Sequence, residues 1–335
     1  MRRLGSSFLG LALSAVLLAV LATQIDLAAM GRVLAHADPS LLPLALGGLA
    51  LDLAARTVRW RVLLARAPRP GYRATFRYLA IGYLVNDVLP GRLGELVRAH
   101  LIGRREGVGT SRALGSIALE RGLDVVAAAV LGLLAVLALG IGGPLRGGFA
   151  ILAAGSLGAL LVLALAPHRW LREVVDGLAA RAVRGPLRTV GPRVAAFLHA
   201  LLDAAAPATV GPGLALSAFA WLATAGVFFV AAAALGLHLA PPAILVIAVA
   251  ANLGTAIPSA PAGIGPFEFA VVFVGSAVGL DASSALLLGV LSHLLAVVPV
   301  CLIGAVALAG MGWDVRTLGP DAAGPTPVVP ADAAH

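Results

Sequence analysis

Residues 86–95 read Asn-Asp-Val-Leu-Pro-Gly-Arg-Leu-Gly-Glu and end a short apolar segment that starts at Tyr78. Residues 78–90 are too few to cross a bilayer comfortably as one straight helix, which needs roughly 20 apolar residues. Pro90 cannot continue a helix, and Gly91 and Gly94 let the backbone turn without a side chain in the way. The stretch therefore predicts a broken helix or a re-entrant hairpin, with its centre at residues 78–103.

A related pattern recurs in the second half of the chain, at residues 243–280. Asn252 lies in a short apolar segment that ends at Pro258, Gly263 and Gly265 follow, and Glu268 opens the next helix. The first copy has the same order: an Asn, a Pro break, a pair of glycines and then a Glu. Two such elements that enter the membrane from opposite sides are typical of an inverted-topology repeat, whose broken helices meet near the bilayer midplane.

The composition places the chain in a membrane. It has 335 residues, of which 60% are hydrophobic and 12% are charged, and its mean hydropathy is +0.99. Soluble domains are nearer 45–50% apolar and about 25% charged, so soluble globular, disordered, collagen-like and disulfide-stapled classes are excluded. The single Cys301 excludes an internal disulfide and a Cys-based metal site. Since no basic cluster alternates with aromatic residues, nucleic acid is excluded as a partner.

The apolar stretches predict an all-α polytopic membrane protein with about six full transmembrane helices and two oppositely oriented re-entrant elements. We expect a single integral membrane domain at residues 1–318 and, since residues 319–335 are rich in Pro and Ala, a disordered tail there. The six full spans lie at residues 8–25, 41–64, 125–143, 147–166, 214–235 and 285–311.

Arginine placement predicts the topology, because all 24 basic residues are Arg. Cytoplasmic loops of membrane proteins are rich in basic residues, and the arginines here cluster before residue 8 and at residues 56–77, 104–112 and 169–193. We therefore expect a multi-pass protein of the cell (inner) membrane with both termini in the cytoplasm. Residues 167–212 form either an amphipathic helix on the inner leaflet or a basic cytoplasmic loop.

Ionisable side chains near the two breaks are the candidate binding residues, because buried charges in a membrane are costly. A half-helix that follows a break presents unpaired N–H groups, which favour a phosphate. Glu268 has no basic neighbour in sequence, so its partner is Arg92 or Arg98, or it is protonated. His293 is interpreted as a helix–helix contact. The candidate substrate-binding set is Asn86, Pro90, Gly91, Arg92, Gly94, Glu95, Arg98, Glu120, Arg121, Asn252, Pro258, Gly263, Gly265 and Glu268.

Several short motifs together resemble the lysylphosphatidylglycerol synthase transmembrane family, also called the flippase-like domain, over residues 5–312. They are Arg59-Trp60-Arg61, the Asn86–Arg98 stretch, Glu120-Arg121 with Asp124, and the Pro258–Glu268 stretch. Membership implies an inner-membrane protein that moves lipid-linked anions or aminoacylated phospholipids between leaflets. The lipid-aminoacylating members carry a large soluble catalytic domain after the membrane domain. The present sequence ends soon after the last predicted span, so the resemblance favours translocation, and no enzymatic activity is expected.

The leading hypothesis is a lipid flippase that moves an anionic phospholipid or a polyprenyl-phosphate-linked headgroup. One alternative is a membrane subunit that supports a separate lipid-modifying or glycosyl-transferring enzyme, which would then be a partner. Another is a secondary transporter for a small soluble anion. No cofactor or metal is expected, because no His/Glu pair has metal-ligand spacing and no Ser-His-Asp set can be argued from spacing.

Overall fold

The computed structural model describes residues 2–64, 70–89, 93–165, 168–183, 191–257 and 259–311. Within these ranges the chain is α-helical, with two short 3-10 turns and no strand. The helices are α1 (Arg2–Ala22), α2 (Leu27–Ala35), α3 (Leu42–Leu63), α4 (Tyr72–Val88), α5 (Gly94–Arg105), α6 (Thr110–Ala138), α7 (Gly143–Leu165), α8 (His168–Val183), α9 (Gly191–Ala204), α10 (Pro207–Ala234), α11 (Pro241–Gly254), α12 (Pro266–Ala277) and α13 (Ala282–Ala309).

Five of the described helices are long and apolar enough to cross a membrane: α3, α6, α7, α10 and α13. Helices α1 and α2 are a bent pair that meets at 82° and makes a sixth span if it counts as one. The prediction of an all-α polytopic membrane protein is confirmed. The largest difference in a span boundary is at α6, which starts at Thr110, well before the predicted start of that span at residue 125. The charges at residues 120–124 lie inside this helix, where partners from other helices neutralise them.

The two interrupted segments form helical hairpins, α4–α5 and α11–α12. At 1.5 Å per residue their arms are about 18–26 Å long, shorter than the roughly 30 Å hydrocarbon core. Glycine allows the arms of the first hairpin to cross closely. A Cβ atom on Gly94 would lie 1.8 Å from the carbonyl oxygen of Gly82. The second hairpin crosses less tightly, since a Cβ atom on Gly254 would lie 2.9 Å from the carbonyl oxygen of Pro266.

The two hairpins enter the helical bundle from opposite ends. The turns after α6, α10 and α12 pack with α2 at one end of the bundle, which we call the α2 end. The turns after α3, α5 and α13 cluster at the other, which we call the arginine-rich end. Helix α4 begins and α5 finishes at the arginine-rich end, whereas α11 begins and α12 finishes at the α2 end. The predicted opposite orientation of the two elements is therefore confirmed.

Helices α3–α6 and α10–α13 form two halves that interlock. Helices α3 and α10 run antiparallel along their length, since Asp52 meets Thr224, Arg59 meets Ser217, and Leu63 meets Gly213. Helix α4 then packs on α13 of the other half, and α11 packs on α6. Each hairpin is thus covered by a long helix from the opposite half, as an inverted repeat requires.

The segment that was predicted as either an amphipathic helix or a basic loop contains two helices, α8 and α9. They pack together through an ion pair between Arg172 and Asp203 and a 2.8 Å contact between His199 and Asp176. Helix α9 also lies tightly along α6, where Gly115 leaves room for the backbone of Ala200. Residues 184–190 and the predicted tail at 319–335 lie outside the described residues.

Candidate functional site

A cavity of about 460 Å³ lies between the tips of the two hairpins. Its walls come mainly from α3, α4, α10 and α13 and from residues 255–257 and 259–263, and α5, α6, α11 and α12 each add one side chain. Its volume falls in the range of about 300–1,000 Å³ that is usual for small-molecule sites. Leu89 and Ile257, at matching ends of α4 and α11, line the cavity and are 46% and 47% exposed. Apolar side chains therefore flank its opening at both hairpin tips, a placement suited to contact with lipid chains.

Two arginines line this cavity with their outer nitrogens available. Nε of Arg56 donates to both carboxylate oxygens of Asp52, at 2.8 and 2.9 Å. Nε of Arg121 donates to Glu95 at 2.8 Å. The terminal nitrogens of both arginines reach Asp124 only at 3.7–3.8 Å, and they make no hydrogen bond within the described part of the chain. A guanidinium that is fixed through Nε can offer its remaining N–H groups to a phosphate or carboxylate.

A fully buried ionic network supports these two arginines from behind. Arg59 pairs with Asp124 and lies 3.2 Å from Glu120, and it donates to Ser217 at 2.8 Å. Arg98 donates to Glu120 at 3.0 Å. Glu120 thus joins α3, α5 and α6 through two arginines. Buried charges of this kind are tolerated only when they are paired and hydrogen-bonded.

Arg98 also contacts an aromatic ring, which fixes the first hairpin on α3. Its guanidinium carbon lies 4.7 Å from the ring centroid of Trp60. Nε1 of Trp60 donates to Ser116 of α6 at 3.1 Å. A guanidinium over an indole face is attracted by the ring quadrupole, so this contact adds to the ion pair. The Arg59-Trp60-Arg61 motif therefore places one arginine in the network and one ring beneath a second arginine.

The second hairpin contacts α13 through a carboxylate and an imidazole, whereas the first hairpin contacts α6 through ion pairs with arginines. Oε2 of Glu268 accepts from the backbone N–H of Gly265 at 2.7 Å, which caps the start of α12. Oε1 of Glu268 lies 2.6 Å from Nδ1 of His293 on α13. The partner of Glu268 in the described structure is therefore His293, whereas Arg98 pairs with Glu120. The ring of Phe267 stacks on His293 with centroids 4.2 Å apart.

The loop before α12 is fixed by α1. The hydroxyl of Ser14 donates to the carbonyl of Ile264 at 2.8 Å and accepts from the backbone N–H of Ala260 at 2.9 Å. Gly265 has a φ of 100° and touches Ser14, so a side chain there would be strained and crowded. The predicted glycines thus serve a turn that packs against the first helix.

Several of the predicted binding residues meet at the cavity. The lining residues among them are Asn86, Glu95, Arg121, Asn252 and Gly263. Oδ1 of Asn86 accepts from the N–H of Gly94 at 2.8 Å, so Asn86 also closes the first hairpin. Asn252 donates to Ala248 in its own helix at 2.9 Å.

The other predicted residues lie around the cavity or outside the described ranges. Gly94 and Gly265 shape the hairpins, Arg98 and Glu120 form the buried network, and Glu268 lies behind His293. Pro90, Gly91, Arg92 and Pro258 lie outside the described residues.

Sequence reasoning missed several groups that line the cavity: Asp52, Arg56, Tyr83, Asp87 and Ser292. Asp52 and Arg56 stand four residues apart inside an apolar span, a spacing that puts opposite charges on one helix face and could have revealed them. His293 does make the helix–helix contact that was predicted, but it lines the cavity as well. Within the described residues no group of three or more His, Cys, Asp or Glu side chains could hold a metal ion.

Comparison with known proteins gives one partial and one extensive similarity. The chain is 30% identical over 136 residues to glycosyltransferase AglD of Haloferax volcanii, which corresponds to 39% of this chain. The match covers 21% of that relative, so the chain spans about a fifth of its length. The family model of the lysylphosphatidylglycerol synthase TM region matches residues 7–304 and therefore both hairpins and the cavity. The chain belongs to the lysylphosphatidylglycerol synthase transmembrane family.

Proposed function

We propose that this protein moves an anionic phospholipid, or another lipid with a phosphate-bearing headgroup, between the leaflets of a cell membrane. The observation that carries the proposal is the cavity between the hairpin tips, with Arg56 and Arg121 on its polar wall. Both guanidiniums line a space large enough for a headgroup, and their terminal nitrogens make no hydrogen bond within the described part of the chain. Phosphate is the anion whose geometry suits a guanidinium.

The apolar rim supports a lipid rather than a free anion. Leu89 and Ile257 would contact acyl chains while the headgroup enters the cavity. A headgroup that slides between two opposed hairpins meets the arginines near the middle of the bundle, and its chains stay in the bilayer. Carboxylates Asp52 and Glu95 position the arginines and leave their outer N–H groups for the lipid.

Orientation follows from the positive-inside rule. The arginine-rich end of the bundle faces the cytoplasm in this proposal, and the α2 end faces the opposite side. The first hairpin then enters from the cytoplasm and the second from outside, so each leaflet has one hairpin through which a headgroup can approach.

The test is lipid movement in vesicles that contain only the purified full-length chain. Fluorescent phosphatidylglycerol and a polyprenyl phosphate should change leaflet faster than in protein-free vesicles. Arg121→Gln should lower the rate by about tenfold or more, because a charge-assisted hydrogen bond is lost. Arg169→Gln is the matched control, since the Arg169 side chain is 92% exposed on α8. Rates no faster than those of empty vesicles, or equal rates for the two variants, would contradict the proposal.

Two further measurements, co-purification from native membranes and uptake of free phosphate, distinguish other functions. The similarity to a glycosyltransferase favours, as a second candidate, a membrane subunit that serves a glycosyl-transferring enzyme. That candidate predicts a stoichiometric enzyme partner on co-purification from native membranes and no lipid movement by the chain alone. Uptake of free inorganic phosphate without lipid movement would instead indicate a small-anion transporter.

A further inference from the structure

His293 has an acceptor at each of its two ring nitrogens. Nε2 lies 3.1 Å from the carbonyl oxygen of Ala262, and Nδ1 lies 2.6 Å from Oε1 of Glu268. A backbone carbonyl can only accept a hydrogen bond, so Nε2 must carry a proton. The 2.6 Å contact also needs a proton between Nδ1 and the carboxylate, whichever of the two atoms holds it.

The pair is therefore in its protonated form in this conformation. Either the ring is an imidazolium beside a carboxylate, or a neutral ring accepts from a carboxylic acid, and both forms contain the same number of protons. When that proton is lost, one ring N–H must serve two acceptors. The N–H then favours the charged carboxylate over the carbonyl. The ring nitrogen that faces Ala262 then carries a lone pair, which points at a lone pair of the Ala262 carbonyl oxygen.

Loss of this hydrogen bond acts on a strained loop. Ala262 has a φ of 60°, the left-handed region that an L-residue other than Gly adopts at a cost. Residues 259–263 line the cavity beside Ser292, which is 1% exposed and whose hydroxyl has no hydrogen-bond partner in the described structure. A loop that is released from His293 would thus change the wall of the lipid cavity itself.

Protons reach the pair from the cavity, because His293 lines it while Phe267 covers one face of the ring. The titratable groups that line the same space are Asp87 and Tyr83 on α4, Asp52 and Arg56 on α3, Glu95 on α5 and Arg121 on α6. Asp87 lines the same cavity as His293, and Cys301 on α13 donates to Asp87. From α10 and α11, the cavity wall receives only uncharged groups among the described residues.

We propose that Glu268 and His293 form a proton-binding site that fixes the loop at residues 259–265 when protonated and releases it when deprotonated, so that headgroup movement is coupled to proton movement. The coupling rests on the proposed lipid transport, whereas the proton-controlled loop does not. The proton is then the coupling ion, and the loop at the tip of the second hairpin is the part that moves.

The loop is tested directly by cysteine labelling. The experiments use a Cys301→Ser background, which removes the natural thiol. In this background Ser259→Cys reports on the loop. A separate variant, Ser276→Cys on the exposed face of α12, corrects for the pH dependence of thiol reactivity. The labelling rate of residue 259, divided by that of residue 276, should rise about tenfold from acid to alkaline pH, because the hydrogen bond from His293 to Ala262 is lost. Glu268→Gln should keep it low at every pH, because its amide can donate to neutral His293 as the acid does. His293→Ala should keep it high, and His36→Ala, an exposed histidine, should behave as the parent.

The coupling is tested in the vesicle assay with an imposed pH gradient in either direction. Movement of labelled phosphatidylglycerol should follow the gradient in the parent and lose that dependence in Glu268→Gln. Lipid movement that ignores the gradient overturns the coupling while the transport function stands. Labelling of residue 259 that does not depend on pH, or that is unchanged in Glu268→Gln, overturns the proton site. No lipid movement together with pH-dependent labelling overturns the transport function and the coupling but supports the proton-controlled loop.

Discussion

The first hairpin meets the following long helix through arginines, whereas the second does so through a carboxylate and an imidazole. Arg121 of α6 pairs with Glu95 of α5, and at the corresponding place His293 of α13 pairs with Glu268 of α12. A guanidinium keeps its charge at any physiological pH, but an imidazole does not. The two halves thus share a backbone arrangement and differ in chemistry. The guanidiniums of one half hold a fixed positive charge, and the carboxylate–imidazole pair of the other holds an exchangeable proton.

The largest effect is expected from breaking the fixed half. Glu120→Gln leaves Arg59 and Arg98 buried without their shared carboxylate. Removing one partner of a buried ion pair typically costs about 3–5 kcal/mol, so the free energy of unfolding should fall by that order. The midpoint of thermal unfolding in detergent, followed by size-exclusion chromatography, measures the loss. Glu173→Gln on exposed α8 should change little, and equal midpoints for the two variants would refute the structural role of the network.

A smaller effect should distinguish the two hairpin crossings. Gly94→Ala places a methyl group 1.8 Å from the carbonyl oxygen of Gly82, so the arms must separate. Overpacking of this kind costs about 1–3 kcal/mol or more. Gly254→Ala, whose nearest atom is 2.9 Å away, should cost less, and Gly122→Ala has open space and serves as the control. Thermal midpoints should fall in that order; a Gly254 variant less stable than the Gly94 variant would reverse the comparison.

The smallest effect is expected at the contact between α1 and the second hairpin. Ser14→Ala removes the two hydrogen bonds that the Ser14 hydroxyl makes with the loop at residues 260–264, one as donor and one as acceptor. The free energy of unfolding should fall by about 1–2 kcal/mol. Labelling of a cysteine at residue 259 should increase, but its response to pH should remain, because Glu268 and His293 are intact. Ser156→Ala, whose hydroxyl donates only within α7, is the matched control. A loss of the pH response would show that α1, rather than His293, controls the loop.

Much of the architecture could be predicted because it depends on local features. Proline breaks, paired glycines and the sidedness of the arginines are all readable within short windows, and they indicated two opposed interrupted elements among six spans. The start of α6 could not be predicted in this way. Hydropathy treats Glu120, Arg121 and Asp124 as the edge of a span, although their partners on α3 and α5 let them lie within the helix.

The site was harder to predict than the fold because its pairs are distant in sequence. Glu268 and His293 are separated by 25 residues, and Arg59 and Asp124 by 65. No spacing rule relates such positions, because only the packing of α12 on α13 and of α3 on α6 brings them together. The pair formed by Asp52 and Arg56 is the exception, since four residues within one helix place both charges on the same face.

The interlocked halves have a consequence for biosynthesis. Helix α4 emerges from the ribosome well before its packing partner α13, the last of the described helices, and Gly304 of α13 lies against the carbonyl of Ala80. Until α13 inserts, the first hairpin lacks its cover and the cavity lacks the wall that carries His293. The nascent protein must therefore remain incompletely folded in the bilayer until α13 has been synthesised, a period in which membrane chaperones and proteases can act on it.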